Sequence, residues 1–264
     1  MHDPQAVYRV ALLAADEVPA VSLEGEARCS QYVTICDHAG NLIPRKLAML
    51  GLQEAELQRH IAWDIGAAGV SRNLACALDG PVILQNYSRL VIDCNRPLSS
   101  GESIALRSEH TVIPGNRNLS WMATRQRAEE IFSPYHSCIR ATLDARLQRK
   151  QDTVLISMHS FTPTYLGKRR PWHIGVLYNR DARLANALIT ALRAESGLTV
   201  GDNEPYEVGD DTDYSIPEYG ERRGLLHVGI EIRQDLVCNE AGQRQWAARL
   251  ERLLSGCSSI AHTC

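Results

Sequence analysis

The sequence predicts an α/β fold, on three observations. Short runs of β-branched and aliphatic residues recur along the chain, stretches of helical period lie between them, and the two kinds alternate rather than segregate. In order, the apolar runs fall at 32–36 (YVTIC), 81–84 (PVIL), 89–93 (RLVID), 153–158 (TVLISM), 173–177 (HIGVL) and 227–232 (HVGIEI). Each has the length and composition of a buried strand. The helical stretches cover about 53–78, about 120–150, about 180–196 and about 238–255, where Leu, Ala and Arg recur every three or four positions. Pro134 predicts a bend or break in the second of them. Two excursions rich in Gly, Asp, Asn and Pro, at 97–118 and 199–220, have strand-like sequence on either side, so they read as functional loops rather than linkers. The expectation is one domain over 1–264, closed by the helix at about 238–255.

Composition narrows the class. At 44% hydrophobic and 22% charged over 264 residues, the chain is far from disordered, collagenous or coiled-coil extremes. A formal charge of −3 leaves no footprint for nucleic acid or an anionic membrane. No stretch approaches the ~18 apolar residues that a membrane helix needs. Near the start lies an apolar run of only six residues with no Lys/Arg-rich region ahead of it, too short to span or to direct export, so a cytoplasmic protein is expected. The eight cysteines include no C-x-x-C pair and are expected to be reduced and mostly buried. Aromatics make up only 6%, so aliphatic side chains must fill the interior.

Sheets of this class place their sites beyond the carboxyl ends of strands. The apolar runs here lead into Asp37-His38, Asp93, His159 and Glu231. His38 and His159 each offer an imidazole nitrogen, and Asp64, near the start of the first helical stretch, would complete a set of three metal ligands. Such a set leaves a position for water and polarises a carbonyl, which is hydrolytic chemistry. Glu231 would then serve as general base and later as acid. Taken singly, each has a plainer explanation. A strand-end His is commonly a hydrogen-bonded structural residue, Asp64 suits a helix dipole, and Glu231 would need Arg233 or a metal-bound water to compensate it, or an edge facing solvent. Arg89, Arg96, Arg170 and Arg233 cluster near the same strand ends and suit a small acidic substrate, unless they are spent in ion pairs with Asp93, Asp235 and Glu231. Lys168-Arg169-Arg170 is too short for a nucleic-acid patch, and Asp210-Asp211-Thr212-Asp213 lacks the glycine and terminal Glu of a calcium loop and reads as a solvated turn. Trp63, Phe161 and Trp172 flank these residues and are expected to wall the site.

Nine segments in order carry a resemblance: CDHAGN at 36–41, HIAWD at 60–64, SRLVIDCNRP at 88–97, IPGN at 113–116, PYH at 134–136, HSFTP at 159–163, RPWH at 170–173, GDNEPY at 201–206 and IEIRQDL at 230–236. Together they resemble the N-formylglutamate amidohydrolase family, over about residues 30–237. The resemblance implies a three-layer α/β/α fold with a central mixed sheet, like that of zinc-dependent exopeptidases. It also implies a zinc-dependent hydrolase of a linear amide bond, releasing formate and L-glutamate from N-formyl-L-glutamate, or acting on a related N-acyl amino acid, late in histidine breakdown. The plan is similar, too, to peptidoglycan amidases. Carried across, the resemblance implies Zn2+ or another divalent transition metal on His38, Asp64 and His159, with Glu231 catalytic. Substrate contacts are implied for Arg89, Asn95, Arg96 and Arg233, with His136 and Asn203 behind them. The chain departs from the family pattern at Asp37, where relatives commonly carry Glu and where an effect on the hydrogen bonding of His38 is expected. It departs again at Tyr219, where relatives often carry His. Rival readings are a hydrolase of another N-acyl amino acid or of a peptidoglycan-type amide, and a non-catalytic carboxylate-binding protein. Oligomeric state is not readable from the sequence.

Overall fold

The computed structural model describes residues 11–261; residues 1–10 and 262–264, and with them the start of the six-residue apolar run near the N-terminus and Cys264, lie outside the described residues. Seven strands form one mixed sheet. They are β1 (Val21–Glu24), β2 (Tyr32–Cys36), β3 (Val82–Gln85), β6 (Val154–Phe161), β9 (Ile174–Leu177), β10 (Val200–Asp202) and β11 (Leu226–Arg233), in the order β1-β3-β2-β6-β11-β9-β10. The middle four, β3, β2, β6 and β11, run parallel, while β1 and β9 are antiparallel to their inner neighbours. Parallel strands need both faces covered, and β2, β3 and β6 are accordingly buried at every residue. Two further hairpins stand apart from the sheet: β4 (Arg107–Ser108) with β5 (Thr111–Val112), and β7 (Thr164–Tyr165) with β8 (Lys168–Arg169).

Helices cover both faces, giving three layers. Against one face pack α2 (Ala67–Ala77), α5 (Arg183–Arg193) and α6 (Glu240–Ala261), whose Leu74, Leu188 and Leu250 meet Ile156, Val228 and Ile230 in one core cluster. Against the other lies α4 (Ser133–Gln148), whose Tyr135, Ile139 and Leu143 join Val33, Ile35 and Ile83 in a second cluster. No helix among the described residues is long and apolar enough to cross a membrane.

Three expectations are corrected. The run at 89–93 is not a strand: it folds as turns, with Leu90, Val91 and Ile92 buried in the second core cluster. Its backbone carbonyls find side chains instead of a neighbouring strand. Asn116 Nδ2 donates to Leu90 O at 2.9 Å and Arg127 to Val91 O at 2.9 Å. The stretch at about 53–78 is not one helix, since a short α1 (Glu54–Leu57) is separated from α2 by a loop that ends at Gly66, whose φ of +83° stops a helix passing through. The stretch at about 120–150 does keep helical direction. Between α3 (Trp121–Arg127) and α4 lies a π-type turn at 128–132, where the Ser133 amide bonds back to Ala128 O just ahead of Pro134. Of the described cysteines, Cys36, Cys94 and Cys257 are buried but Cys29, Cys76 and Cys238 are exposed, fewer buried than expected.

Candidate active site

Four elements converge where β2 ends. Directly after β2, His38 projects from the loop, and its backbone carbonyl accepts a hydrogen bond from the Asp64 amide at 3.0 Å, so the break before α2 delivers Asp64 to its side. On the neighbouring β6, His159 lies in register with Glu231 of β11. Strand β6 runs past the last residue of β2 that pairs with it, Ile35 opposite Ser157, and this overhang makes a step in the sheet floored by His159. All four side chains are buried.

The ligand-type atoms of His38, Asp64 and His159 lie within 4.8 Å of one another. Asp64 Oδ2 is 2.9 Å from His159 Nδ1 and 3.4 Å from His38 Nδ1. The far nitrogen of each imidazole meets a different carboxylate: His38 Nε2 lies 2.7 Å from Asp93 Oδ1, and His159 Nε2 lies 3.3 Å from Asp37 Oδ2. Holding Nε2–H on a carboxylate turns the Nδ1 lone pair toward the centre and makes it more basic. Asp37 therefore serves His159, and not His38 as expected; its other oxygen accepts from Ser215 Oγ at 2.6 Å.

Three buried carboxylates around two imidazoles make a cation-seeking centre. Burial opposes ionisation of Asp64, yet the imidazoles of His38 and His159 outweigh it and hold its pKa well down. Asp93 is lowered likewise, burial being overcome by Arg89 and His38. Burial works against protonating the imidazoles, but the carboxylates prevail and raise both, His159 most of all. A divalent cation would bring the positive charge that these buried carboxylates favour, so the donor set fits a metal by atom type and charge. Glu231 differs from the other carboxylates. Burial pushes its pKa up to about 7, and its Oε2 is a buried atom with no hydrogen-bond partner among the described residues. A carboxylate so poised suits proton transfer near neutral pH.

These residues open into a cavity of about 590 Å³. Arg89, Asn95 and Arg96 line it with them, and His136, Asn203 and Arg233 do not. The Asn95 amide is spent within the protein, donating to Asp213 at 3.0 Å and accepting from the Tyr214 and Ser215 amides. His136 is buried beneath the floor, bonded to Cys94 O and Tyr219 Oη at 2.9 Å each. Asn203 caps the β9–β10 edge, its Oδ1 accepting from the Tyr178 amide at 2.9 Å. Arg233 turns away to Asp235 at 2.7 Å and to the carbonyls of Pro171 and Trp172. Tyr219, the second departure from the family pattern, is fully buried against His136 and away from the cavity. The stretch at 210–213 is not merely a solvated turn, because Thr212 and Asp213 form part of the wall. Of the aromatics expected there only Phe161 lines the cavity; Trp63 and Trp172 do not, and Tyr165 and Tyr206 do. Their signal in the sequence was position alone, on the β7–β8 hairpin that follows β6 and in the loop that follows β10.

Fold and site define a class: an α/β protein with a buried, cation-seeking His–Asp–His centre and a protonatable glutamate beside it, at the carboxyl ends of parallel strands. The chain belongs to the N-formylglutamate amidohydrolase family, whose model matches residues 30–238. Among solved structures it is similar to a gene product from Agrobacterium tumefaciens, at 35% identity over 95% of this chain and 99% of that one, with a TM-score of 0.92. It is also similar in fold to N-formylglutamate amidohydrolase from Ralstonia eutropha, at 22% identity over 93% and 98% of the two chains, with a TM-score of 0.68. No curated protein matches it at a significant level.

Proposed function

We propose that this chain is one catalytic domain that hydrolyses the N-formyl, or a related N-acyl, amide of an acidic amino acid, first among them N-formyl-L-glutamate, to formate and the free amino acid. The observation that carries the reading is the convergence of two carboxylate-backed Nδ1 atoms and Asp64 beside Glu231. His38, Asp64 and His159 would hold zinc or another divalent transition metal. When bound, that ion supplies a Lewis acid that polarises the amide carbonyl and eases deprotonation of the attacking water. Glu231 takes the water's proton and returns it to the leaving nitrogen. Arg89, fixed by its 2.7 Å contact to Asp93 and 3.6 Å from Asp64, faces the cavity where the carbonyl oxygen gathers charge. Arg96, at the rim, is assigned to the substrate's α-carboxylate. His136, Asn203 and Arg233 are assigned to support of the walls. The same reading carries cytoplasmic placement and a role in histidine breakdown. The test is hydrolysis of N-formyl, N-acetyl and N-succinyl amino acids by the purified protein, before and after chelation. N-formyl-L-glutamate should be cleaved, with activity lost to chelator and regained with zinc; unchanged hydrolysis in chelator would refute the metal role.

A further inference from the structure

The inner end of the cavity is built two residues below the catalytic row. His159 of β6 and Glu231 of β11 stand side by side, and Ser157 and Gly229 make the next pair down, again in register. Two residues along a strand is about 6.6 Å and one full pleat, so all four project from the same face. Met158 and Ile230, between them, face the other way into the first core cluster. Across from Gly229, on β9, lies Leu177. The π-type turn at 216–221 packs on β6 and β11, and its Ile216 joins Leu177 and Val208 in a small apolar cluster of their own. These three, with Ser157 and Gly229, are buried, and all five line the cavity.

We propose that Leu177, Ile216 and Gly229 form the subsite for the acyl group of the substrate, and that Ile216 sets the length of acyl group accepted. The chemistry of this end decides which half of the substrate enters it. Its one polar side chain, Ser157, is engaged 3.1 Å from His159 Nε2, and the rest of the surface is aliphatic or backbone. A carboxylate placed there would be buried without a partner, at high cost. The amino-acid half therefore lies on the other side of the scissile carbonyl, and the uncharged acyl group points inward past Glu231. Space decides how large that group can be. A methyl group on Gly229 would stand 2.8 Å from Ile216 Cδ1 and 3.0 Å from Leu177 Cβ, so these side chains close the recess within one carbon's reach of the strand. Interiors packed this closely do not yield to an added methylene without strain. The recess accordingly favours a formyl group over longer acyl chains and rejects a charged one such as succinyl.

This assignment rests on the amidohydrolase reading above, and the experiment separates the two. N-formyl-, N-acetyl- and N-butyryl-L-glutamate are compared as substrates of the wild-type protein, of Ile216→Ala and of the milder Val208→Ala, with metal content measured alongside. The three amides differ in intrinsic reactivity, so the quantity read is the change in their kcat/KM ratios from wild type to variant, in which that difference cancels. Ile216→Ala should raise N-butyryl over N-formyl by about 10- to 100-fold, the discrimination that a methylene or two carries in an apolar pocket. Val208→Ala should move the ratio the same way by less. Adding Gly229→Ala to Ile216→Ala returns a methyl group to the recess from its floor and should bring the ratio back toward wild type, which a general loss of packing would not do. Unchanged ratios in the folded variants, or a wild-type protein that prefers N-butyryl to N-formyl-L-glutamate, would overturn the assignment. A wild-type protein that cleaves none of the three would instead overturn the amidohydrolase reading. The dissociation constants of the same compounds, by calorimetry on wild type and variants, then decide the recess by the same ratio, and absence of binding would overturn both.

Discussion

Glu231 and Asp93 make the sharpest case at the scale of single residues. Glu231 is an amide's size away from being silent: as Gln it would keep shape and hydrogen-bonding reach and lose only the proton it exchanges. Glu231→Gln should therefore lower kcat by roughly 10²-fold or more while metal content stays at the wild-type level. A near-normal rate would move the base elsewhere. Asp93 acts one bond further out, fixing the tautomer of His38 across 2.7 Å. Replacing it with Asn removes the charge that makes Nδ1 a strong donor, so zinc affinity, measured by competition with a chelating dye, should weaken about 10- to 100-fold. An unchanged affinity would show that His38 is oriented by other contacts. His38, His159 and Glu231 were legible as candidates because they follow or occupy apolar strands. Which carboxylate serves which imidazole was not legible, since Asp37 is adjacent to His38 in the chain yet reaches across to β6.

Among the elements, the informative one is the turn-rich stretch at 88–96, which reads as a strand and is not one. Its apolar residues were correctly seen as buried, but burial alone does not choose between a strand and a buried loop when side chains supply the missing backbone partners. Arg127 supplies one of them, bonding Val91 O, and it also holds Gly115 O and Asn116 Oδ1, while the Asn116 amide donates to Leu90 O; burial pushes the pKa of Arg127 down to about 10. Arg127→Met should leave those acceptors unsatisfied and cost about 2 kcal/mol of stability, read as a lower urea midpoint. Because the same stretch carries Arg89, Asp93 and Arg96, kcat/KM should fall further than the lost stability accounts for. Wild-type turnover in a destabilised but folded variant would show that this stretch is held by its own packing. The short break at 58–66 has a different origin, in the backbone itself. The periodicity of 53–78 was real, but α1 stops at Leu57 and α2 starts only after Gly66, with the Asp64 amide bonded to His38 O between them, and that interruption puts Asp64 in the site.

Over the whole molecule, a net charge of −3 conceals a strong segregation, with Asp37, Asp64, Asp93 and Glu231 buried at the end of the sheet and most arginines paired near the surface. The pH response of global stability should show a second buried group that the site does not use. His136 joins three parts of the fold: it sits on α4, donates from Nε2 to Cys94 O in the 88–96 stretch, and accepts at Nδ1 from Tyr219 in the turn before β11. In that arrangement the neutral imidazole is fully satisfied, and burial pushes its pKa down to about 4. An unfolded chain holds the same residue near 6.5. Between those values the unfolded state binds a proton that the folded state refuses, so the stabilisation from His136 is complete above about pH 6.5 and is lost as the pH falls toward 4. The loss amounts to roughly 3 kcal/mol over that window, at about 1.4 kcal/mol for each unit of pKa difference. His136→Gln has no such proton to refuse. Urea unfolding followed from pH 7 to pH 4.5 should therefore show a slope shallower by up to one proton in the variant than in the wild type, and equal slopes would mean that His136 titrates alike in both states.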